Sequence, residues 1–155
     1  MRGGAASRGI AKPRQGDVRR ELAAFRLEPH ALHQPLELGA NDALRGIDPK
    51  LTRAALDAIL RRLAERRVTV LLAGMRAPRN MGAAYVEAFD AIFPELASTF
   101  GVVFYPFFLD GVAADRTLNQ PDGLHPTAAG IDAIVARMLP KVEELVARVR
   151  TARGS

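Results

Sequence analysis

From residue 36 onward, short apolar runs alternate with longer segments of helical periodicity, an alternation that few folds accommodate. Val68–Leu72 and Gly101–Tyr105 are rich in β-branched or aromatic residues, and each predicts a strand, the first of them buried on both faces. Leu36–Leu38 predicts the end of an earlier strand. Repeated strand–helix units predict an α/β fold with a parallel sheet and helices on both faces. Functional side chains then gather beyond the carboxyl ends of the strands.

Three helical segments separate and follow these strands. Asp48 and Pro49 predict an N-cap and a first helical residue, and that helix ends near Arg66. Its predicted apolar face consists of Leu51, Ala55, Leu56, Ile59, Leu60 and Leu63. A second helix is predicted from Gly82 to Phe93, and the last one from Pro126, with a kink or a restart at Pro140.

Composition limits the classes of function. The chain has 155 residues, which predicts a single domain with a sizeable core. It has no cysteine, so disulfides and thiolate metal sites are excluded. No apolar run reaches the length of a membrane span and no secretory signal is evident, so we expect a cytoplasmic protein.

Residues 1–35 differ from the rest of the chain. They hold seven Lys and Arg against three Asp and Glu, whereas residues 36–155 hold fifteen against fourteen. A basic arm that binds nucleic acid is one interpretation, but aromatic interleaving and a nucleic-acid motif are lacking, so no nucleic acid is expected. We therefore predict an irregular segment foreign to the fold over residues 1–35, a domain over residues 36–150 and a tail over residues 151–155. His30 and His33 form an H-x-x-H pair without further ligands nearby, and no metal site is predicted.

Asp122 and His125 are the strongest candidates for catalysis. An Asp three residues before a His, in a Gly/Pro turn that opens a helix, can accept a hydrogen bond from one ring nitrogen. The other ring nitrogen is then available as a general base. The alternative interpretations are a structural histidine or a metal ligand, and the latter has only Asp122 as a neighbouring ligand.

Gly39-Ala40-Asn41-Asp42 follows the first predicted strand. The Asn41 amide could donate to a developing oxyanion, although the same four residues are also good turn formers. Asp42 is interpreted as structural. No serine occupies a strand-to-helix turn: Ser7 is in the basic segment, Ser98 ends a helix and Ser155 is the last residue.

These motifs together resemble the SGNH or GDSL hydrolases, in particular their arylesterase and lysophospholipase branch. The resemblance covers residues 36–150 and includes Leu72–Asn80 and Phe89–Leu96 as well as the two motifs above. It implies a flavodoxin-like three-layer α/β/α sandwich and cofactor-free hydrolysis of carboxylic esters or thioesters. Small esters and lysophospholipid-like molecules are the implied substrates, and many such relatives are exported to the periplasm.

On the family pattern, His125 is general base and then acid, Asp122 orients His125, and Asn41 donates to the oxyanion. Gly39, Met75 and Pro78 are predicted to contact substrate. The Gly-Asp-Ser block with the nucleophile is absent, since Gly16-Asp17-Val18 has valine in the serine position. We therefore predict a truncated or frameshifted esterase whose first strands are missing, with an open sheet edge that favours self-association. The alternative is a non-catalytic relic or binding protein of the same fold.

Overall fold

The computed structural model describes residues 33–154 of the chain. In chain order the elements are β1 (His33–Glu37), α1 (Ala40–Arg45), α2 (Pro49–Glu65), β2 (Thr69–Ala73), a 3₁₀ turn (Arg79–Met81), α3 (Ala83–Asp90), α4 (Ile92–Phe100), β3 (Val103–Tyr105) and α5 (Ala128–Gly154). Strands and helices alternate as predicted, and the fold is α/β.

The three described strands form a parallel sheet in the order β1-β2-β3. Leu36 aligns with Leu72, which in turn aligns with Phe104. β1 begins at His33, three residues earlier than the proposed start of the domain at residue 36. Pro35 lies inside this strand, where its backbone nitrogen cannot donate a ladder hydrogen bond. The predicted domain boundary therefore cuts through β1.

Helices cover both faces of the sheet and make a three-layer α/β/α sandwich. Leu36, Val70 and Leu72 belong to the larger core, together with buried residues of α2, α3 and α4. Leu71, Val103 and Tyr105 point to the opposite face and pack against Leu145 of α5. Successive strand residues face opposite sides of a sheet, so β2 is buried on both faces, as its apolar sequence predicts.

The start of α2 is predicted correctly, but its buried face is narrower than the sequence suggests. Asp48 is the N-cap and its carboxylate accepts from the Lys50 backbone N–H at 2.9 Å, with Pro49 directly behind it. Leu56, Ile59 and Leu63 are buried, whereas Leu51 is 43% exposed. In the first turn of the helix Thr52 is the buried residue, since its hydroxyl faces Asp42, and the neighbouring Leu51 is turned towards solvent.

The segment predicted as one helix from Gly82 to Phe93 is divided into α3 and α4 at Ala91. Pro94 lies in the first turn of α4, where a missing backbone N–H costs no helical hydrogen bond. The break brings Phe89 and Phe93 into a tilted ring contact with centroids 5.7 Å apart. Both rings are fully buried in the larger core.

α5 runs antiparallel to the strands. The Arg148 guanidinium near its C-terminus donates to the carbonyl of Gly101, just before β3, at 2.8 Å. The N-terminus of α5 therefore lies at the carboxyl edge of the sheet. The helix continues through Pro140, so it does not restart there, and the other predicted outcome, a kink at Pro140, stays a prediction. Its apolar stripe is also only partly covered, since Ile131, Val135 and Leu139 are about half exposed.

None of the helices within residues 33–154 is both long and apolar enough to cross a membrane.

Candidate functional site

The segment between β1 and α1 is a tight backbone turn at the carboxyl edge of the sheet. Gly39 caps α1 with φ of 104°, a left-handed conformation that favours glycine. A Cβ at this position would lie 3.1 Å from Cζ of Phe93, so the Phe93 ring would have to shift slightly to admit a side chain. Asn41 and Asp42 were predicted in a turn, but both lie in the first turn of α1.

Asp42 anchors this helix to its neighbours. Its side chain is fully buried and its Oδ2 accepts from the Thr52 hydroxyl of α2 at 2.7 Å. The Tyr85 hydroxyl of α3 donates to the carbonyl of Ile47 at 3.0 Å, just beyond α1. Burial, followed by the negative charges of Asp42 and Asp48, raises the pKa of Tyr85, so its hydroxyl remains a donor. These contacts fix the helix that carries the half-buried Asn41.

Asp122 and His125 form the contact that their spacing predicts. The His125 Nδ1 lies 2.7 Å from Asp122 Oδ2. The other carboxylate oxygen of Asp122 accepts from the backbone N–H groups of Leu124 at 2.9 Å and His125 at 3.0 Å. An ionised carboxylate beside Nδ1 holds the proton on that nitrogen, which leaves Nε2 as the basic atom of the ring.

The same contacts control the charge of Asp122. The backbone N–H of His125, that of Leu124 and then the His125 ring lower the pKa of Asp122 to about 2. The carboxylate is therefore ionised at neutral pH. The two side chains are 44% and 47% exposed, so the pair lies at the protein surface and a substrate could reach it.

His125 lies three residues before the first residue of α5. The Thr127 hydroxyl, directly before this helix, accepts from the Gly130 backbone N–H at 3.2 Å. The helix begins at Ala128 rather than at Pro126. Because α5 runs antiparallel to the strands, this end of the helix places His125 at the same edge of the sheet as Asn41.

The Ala73–Asn80 loop leaves β2 at this edge and is held by contacts that the sequence did not reveal. Gly74 is in close contact with β3, and a Cβ there would lie 2.4 Å from the Pro106 carbonyl oxygen. Asp90 of α3 accepts from the Ala77 backbone N–H at 2.8 Å. Met75, predicted to contact substrate, is only 6% exposed and belongs to the larger core, whereas Pro78 is half-buried before the 3₁₀ turn.

An open depression of about 430 Å³ lies beside the Asp122–His125 pair. It is lined by Ala114, Asp115, Arg116, Asn119, Gln120, Pro121, Asp122 and Gly123. Both polar and apolar atoms form its surface.

The structure places no serine beside His125 within the described residues. Ser98 is exposed in the last turn of α4, which leads into β3 and so lies at the amino edge of the sheet, opposite His125. Ser7 and Ser155 lie outside the described residues. Within the described residues, His125 and Asp122 are therefore in contact with each other, and no serine lies beside them.

Metal-ligating groups do not cluster in the described part of the chain, where no set of three or more His, Asp or Glu side chains could hold an ion. His33 is the first residue of β1, at the amino edge of the sheet, and His30 lies outside the described residues.

The parallel sheet and the two helical layers define an α/β/α sandwich with a His–Asp pair before its last helix, and sequence comparison identifies the family. The model of the GDSL-like lipase/acylhydrolase family matches residues 3–133, and the chain belongs to that family. The match begins at residue 3, so it includes most of the segment predicted to be foreign to the fold.

Individual relatives agree with this assignment. The chain is 39% identical over 118 residues to thioesterase 1/protease 1/lysophospholipase L1 of Escherichia coli, an alignment that covers 74% of this chain and 57% of that protein. It is 32% identical over 111 residues to esterase TesA of Pseudomonas aeruginosa, covering 72% and 55%. The chain thus spans little more than half the length of the curated relatives it matches.

Solved structures show the same flavodoxin-like fold. The crystal structure of TesA superposes with a TM-score of 0.73 at 31% identity, covering 81% of this chain and 70% of that one. The psychrotrophic esterase EstA of Pseudoalteromonas superposes with a TM-score of 0.77 at 25% identity, covering 86% and 74%.

Proposed function

We propose that Asp122, His125 and Asn41 are the non-nucleophilic part of an esterase or thioesterase active site. The observation that carries the proposal is the 2.7 Å contact between His125 Nδ1 and Asp122 Oδ2, with the second carboxylate oxygen occupied by two backbone N–H groups. These hydrogen bonds orient the carboxylate, and the carboxylate in turn favours the histidine tautomer with the proton on Nδ1, in which Nε2 is the basic nitrogen.

In this proposal His125 Nε2 removes the proton from a hydroxyl nucleophile as that hydroxyl attacks the ester carbonyl carbon. The carbonyl oxygen becomes an oxyanion, to which the Asn41 amide donates. His125 then returns the proton to the leaving alcohol or thiol, and a water molecule repeats the sequence to release the acid. Asp122 stabilises the imidazolium in both steps. No cofactor is required.

We further propose that this chain does not supply the nucleophile itself and is a truncated or frameshifted form. Support comes from the described serine, Ser98, at the opposite edge of the sheet. The loss of a triad nucleophile lowers kcat by roughly 10⁶-fold, so no appreciable turnover is expected from the chain alone.

Two assays test these proposals. The purified chain is given p-nitrophenyl acetate beside a His125→Ala variant, and equal background rates are expected. A fluorophosphonate, which reacts with activated serines, is then added, followed by peptide mass spectrometry. A His125-dependent adduct on Ser7 or any other serine would show that the nucleophile is present and that the chain is a complete enzyme.

The names of the relatives guide the proposed substrates. The Escherichia coli relative is named as a thioesterase and a lysophospholipase. We therefore propose small esters, thioesters or lysophospholipid-like molecules for the complete site, with Gly39 and Pro78 near the bound substrate. The cytoplasmic location, the absence of nucleic-acid binding and self-association through a sheet edge remain predictions, which cell fractionation, a salt-dependent binding assay and light scattering would test.

A second candidate is a non-catalytic protein that binds the same molecules. The half-exposed His–Asp pair beside a 430 Å³ depression favours it, because such a surface can bind an ester without cleaving it. Calorimetric titration with a lysophospholipid below its micellar concentration distinguishes the two candidates. Saturable binding without turnover supports the binding protein, whereas no binding argues against it.

A further inference from the structure

Asp122 and His125 are carried by a long connection with little regular structure. It runs from β3 to α5, and most of its residues are exposed. Loops of this length are usually mobile unless specific contacts fix them. A 2.7 Å contact between two half-exposed side chains at its end therefore requires a source of rigidity elsewhere in the loop.

Backbone hydrogen bonds supply part of that rigidity by closing a short hairpin. The Gln120 N–H donates to the His125 carbonyl at 2.7 Å, and the Thr127 N–H donates to the Leu118 carbonyl at 2.9 Å. Asn119 and Pro126 form an isolated antiparallel bridge between these bonds. Asp122 lies at the tip of this hairpin, and His125 begins its returning arm.

The Asn119 side chain ties the hairpin to the rest of the loop. Asn119 is only 7% exposed, whereas Gln120 and Pro121 beside it are exposed. Its Nδ2 donates to the carbonyl oxygens of Val112 at 2.6 Å and Asp115 at 2.8 Å. Because both partners are carbonyl oxygens, only the amide nitrogen of an asparagine can satisfy them, and an aspartate cannot. The Val112 side chain is fully buried, so the Asn119 amide bonds the hairpin to a residue that is itself held in the protein interior.

The first turn of α5 holds the hairpin from the other side. Gly130 approaches Leu118 so closely that a Cβ would lie 2.2 Å from the Leu118 carbonyl oxygen. That carbonyl is the acceptor for the Thr127 N–H. The hairpin is thus clamped between the Asn119 amide and the α5 backbone.

We propose that Asn119 is a positioning residue for the Asp122–His125 pair, acting by clamping the hairpin that carries both side chains. The proposal rests on the proposed function, since it assigns Asn119 a role in holding the base and its carboxylate. Asn119 does not act on the substrate in this proposal, and nothing in the sequence around it signals the role.

The test uses the full chain and needs no turnover, so its outcome is independent of whether the chain hydrolyses esters. Asn119→Asp and Asn119→Ala are compared with wild type by hydrogen exchange of backbone amides and by NMR titration of the Asp122 carboxyl group. We expect exchange at the Gln120 and Thr127 amides to accelerate about tenfold or more, with β2 amides unchanged. The pKa of Asp122 should rise from about 2 towards the ordinary value of about 3.9.

Thr52→Val is the matched control, because it also removes a buried hydrogen bond but at a different element. It should lower stability without changing exchange in the hairpin or the titration of Asp122. Unchanged hairpin exchange and an unchanged Asp122 titration in both Asn119 variants would overturn the proposal. An equal acceleration over the whole chain would also overturn it, since it would show a general structural role.

If both Asn119 variants fail to fold, the wild-type chain still provides a test. The Asn119 side-chain NH₂ protons should exchange at least about tenfold more slowly than those of the exposed Asn80. Equal exchange of the two amides would refute the clamp.

Discussion

Replacing Thr52 by valine is expected to lower the free energy of unfolding by about 1.5–3 kcal/mol. The hydroxyl of Thr52 donates to Asp42 Oδ2 at 2.7 Å, and both residues are 0% exposed. A hydrogen bond to a charged group contributes about 1.5–3 kcal/mol, and water cannot replace it at a closed position. Valine has nearly the same shape and a similar helix propensity, so packing within α2 should change little. A loss of this size lowers Tm by roughly 3–12 °C for a chain of this length.

Urea unfolding followed by circular dichroism measures the effect. Thr99→Val is the matched control, since the Thr99 hydroxyl donates to the Glu95 carbonyl on an exposed helix surface. That variant should remain within about 0.5 kcal/mol of wild type. The reasoning is refuted if Thr52→Val is no less stable than Thr99→Val, because the buried contact with Asp42 would then contribute nothing.

Three further predictions concern the site and the core. The Asp122 carboxyl should titrate near pH 2 by NMR. Because this pKa lies below the value of about 3.9 in the unfolded chain, the ionised carboxylate stabilises the fold fully above about pH 4, and this stabilisation is lost as the pH falls towards 2. A normal titration would refute the contact with His125. Gly39→Ala should lower the stability more than Gly101→Ala in thermal melts. Both glycines have a positive φ, which costs about 1 kcal/mol for alanine. Only at Gly39 would the new Cβ also meet an aromatic ring. Equal costs would argue against the packing at Gly39. In urea titrations Leu56→Ala should lower the free energy of unfolding by about 2–5 kcal/mol, and Leu51→Ala by less than about 1 kcal/mol. The Leu56 side chain is fully buried, whereas that of Leu51 is 43% exposed. Equal losses would contradict the buried face described for α2.

Elements defined by local sequence were predicted well. The strands β2 and β3 follow from their apolar runs, and the start of α2 from Asp48 and Pro49. The Asp122–His125 contact belongs to the same class. Two residues separate Asp122 from His125, and the backbone N–H groups that orient the carboxylate are those of Leu124 and His125 in the same turn. The contact is therefore formed within one short segment, whereas the hairpin that carries this segment is held by the longer-range hydrogen bonds of Asn119.

Side-chain burial and long-range anchors were predicted poorly. Leu51 was placed on the buried face of α2 and is exposed, and Met75 was predicted to contact substrate and is buried. The ion pair of Arg53 with Glu95, which joins α2 to α4, has no counterpart in the sequence analysis. Periodicity shows that a helix has an apolar side, but it does not show how far a neighbouring helix covers that side.

The sequence by itself determined the α/β alternation, the helix caps and the His–Asp pair, because each depends on residues within about one turn of each other. Only the tertiary structure decided that Asp42 bonds to Thr52, ten residues away, and that Ser98 lies at the edge of the sheet opposite His125. It also decided that the Asn119 amide reaches two carbonyls of the preceding turn. Such contacts depend on the packing of whole elements against one another, and the energy of a buried hydrogen bond exists only after that packing has excluded water.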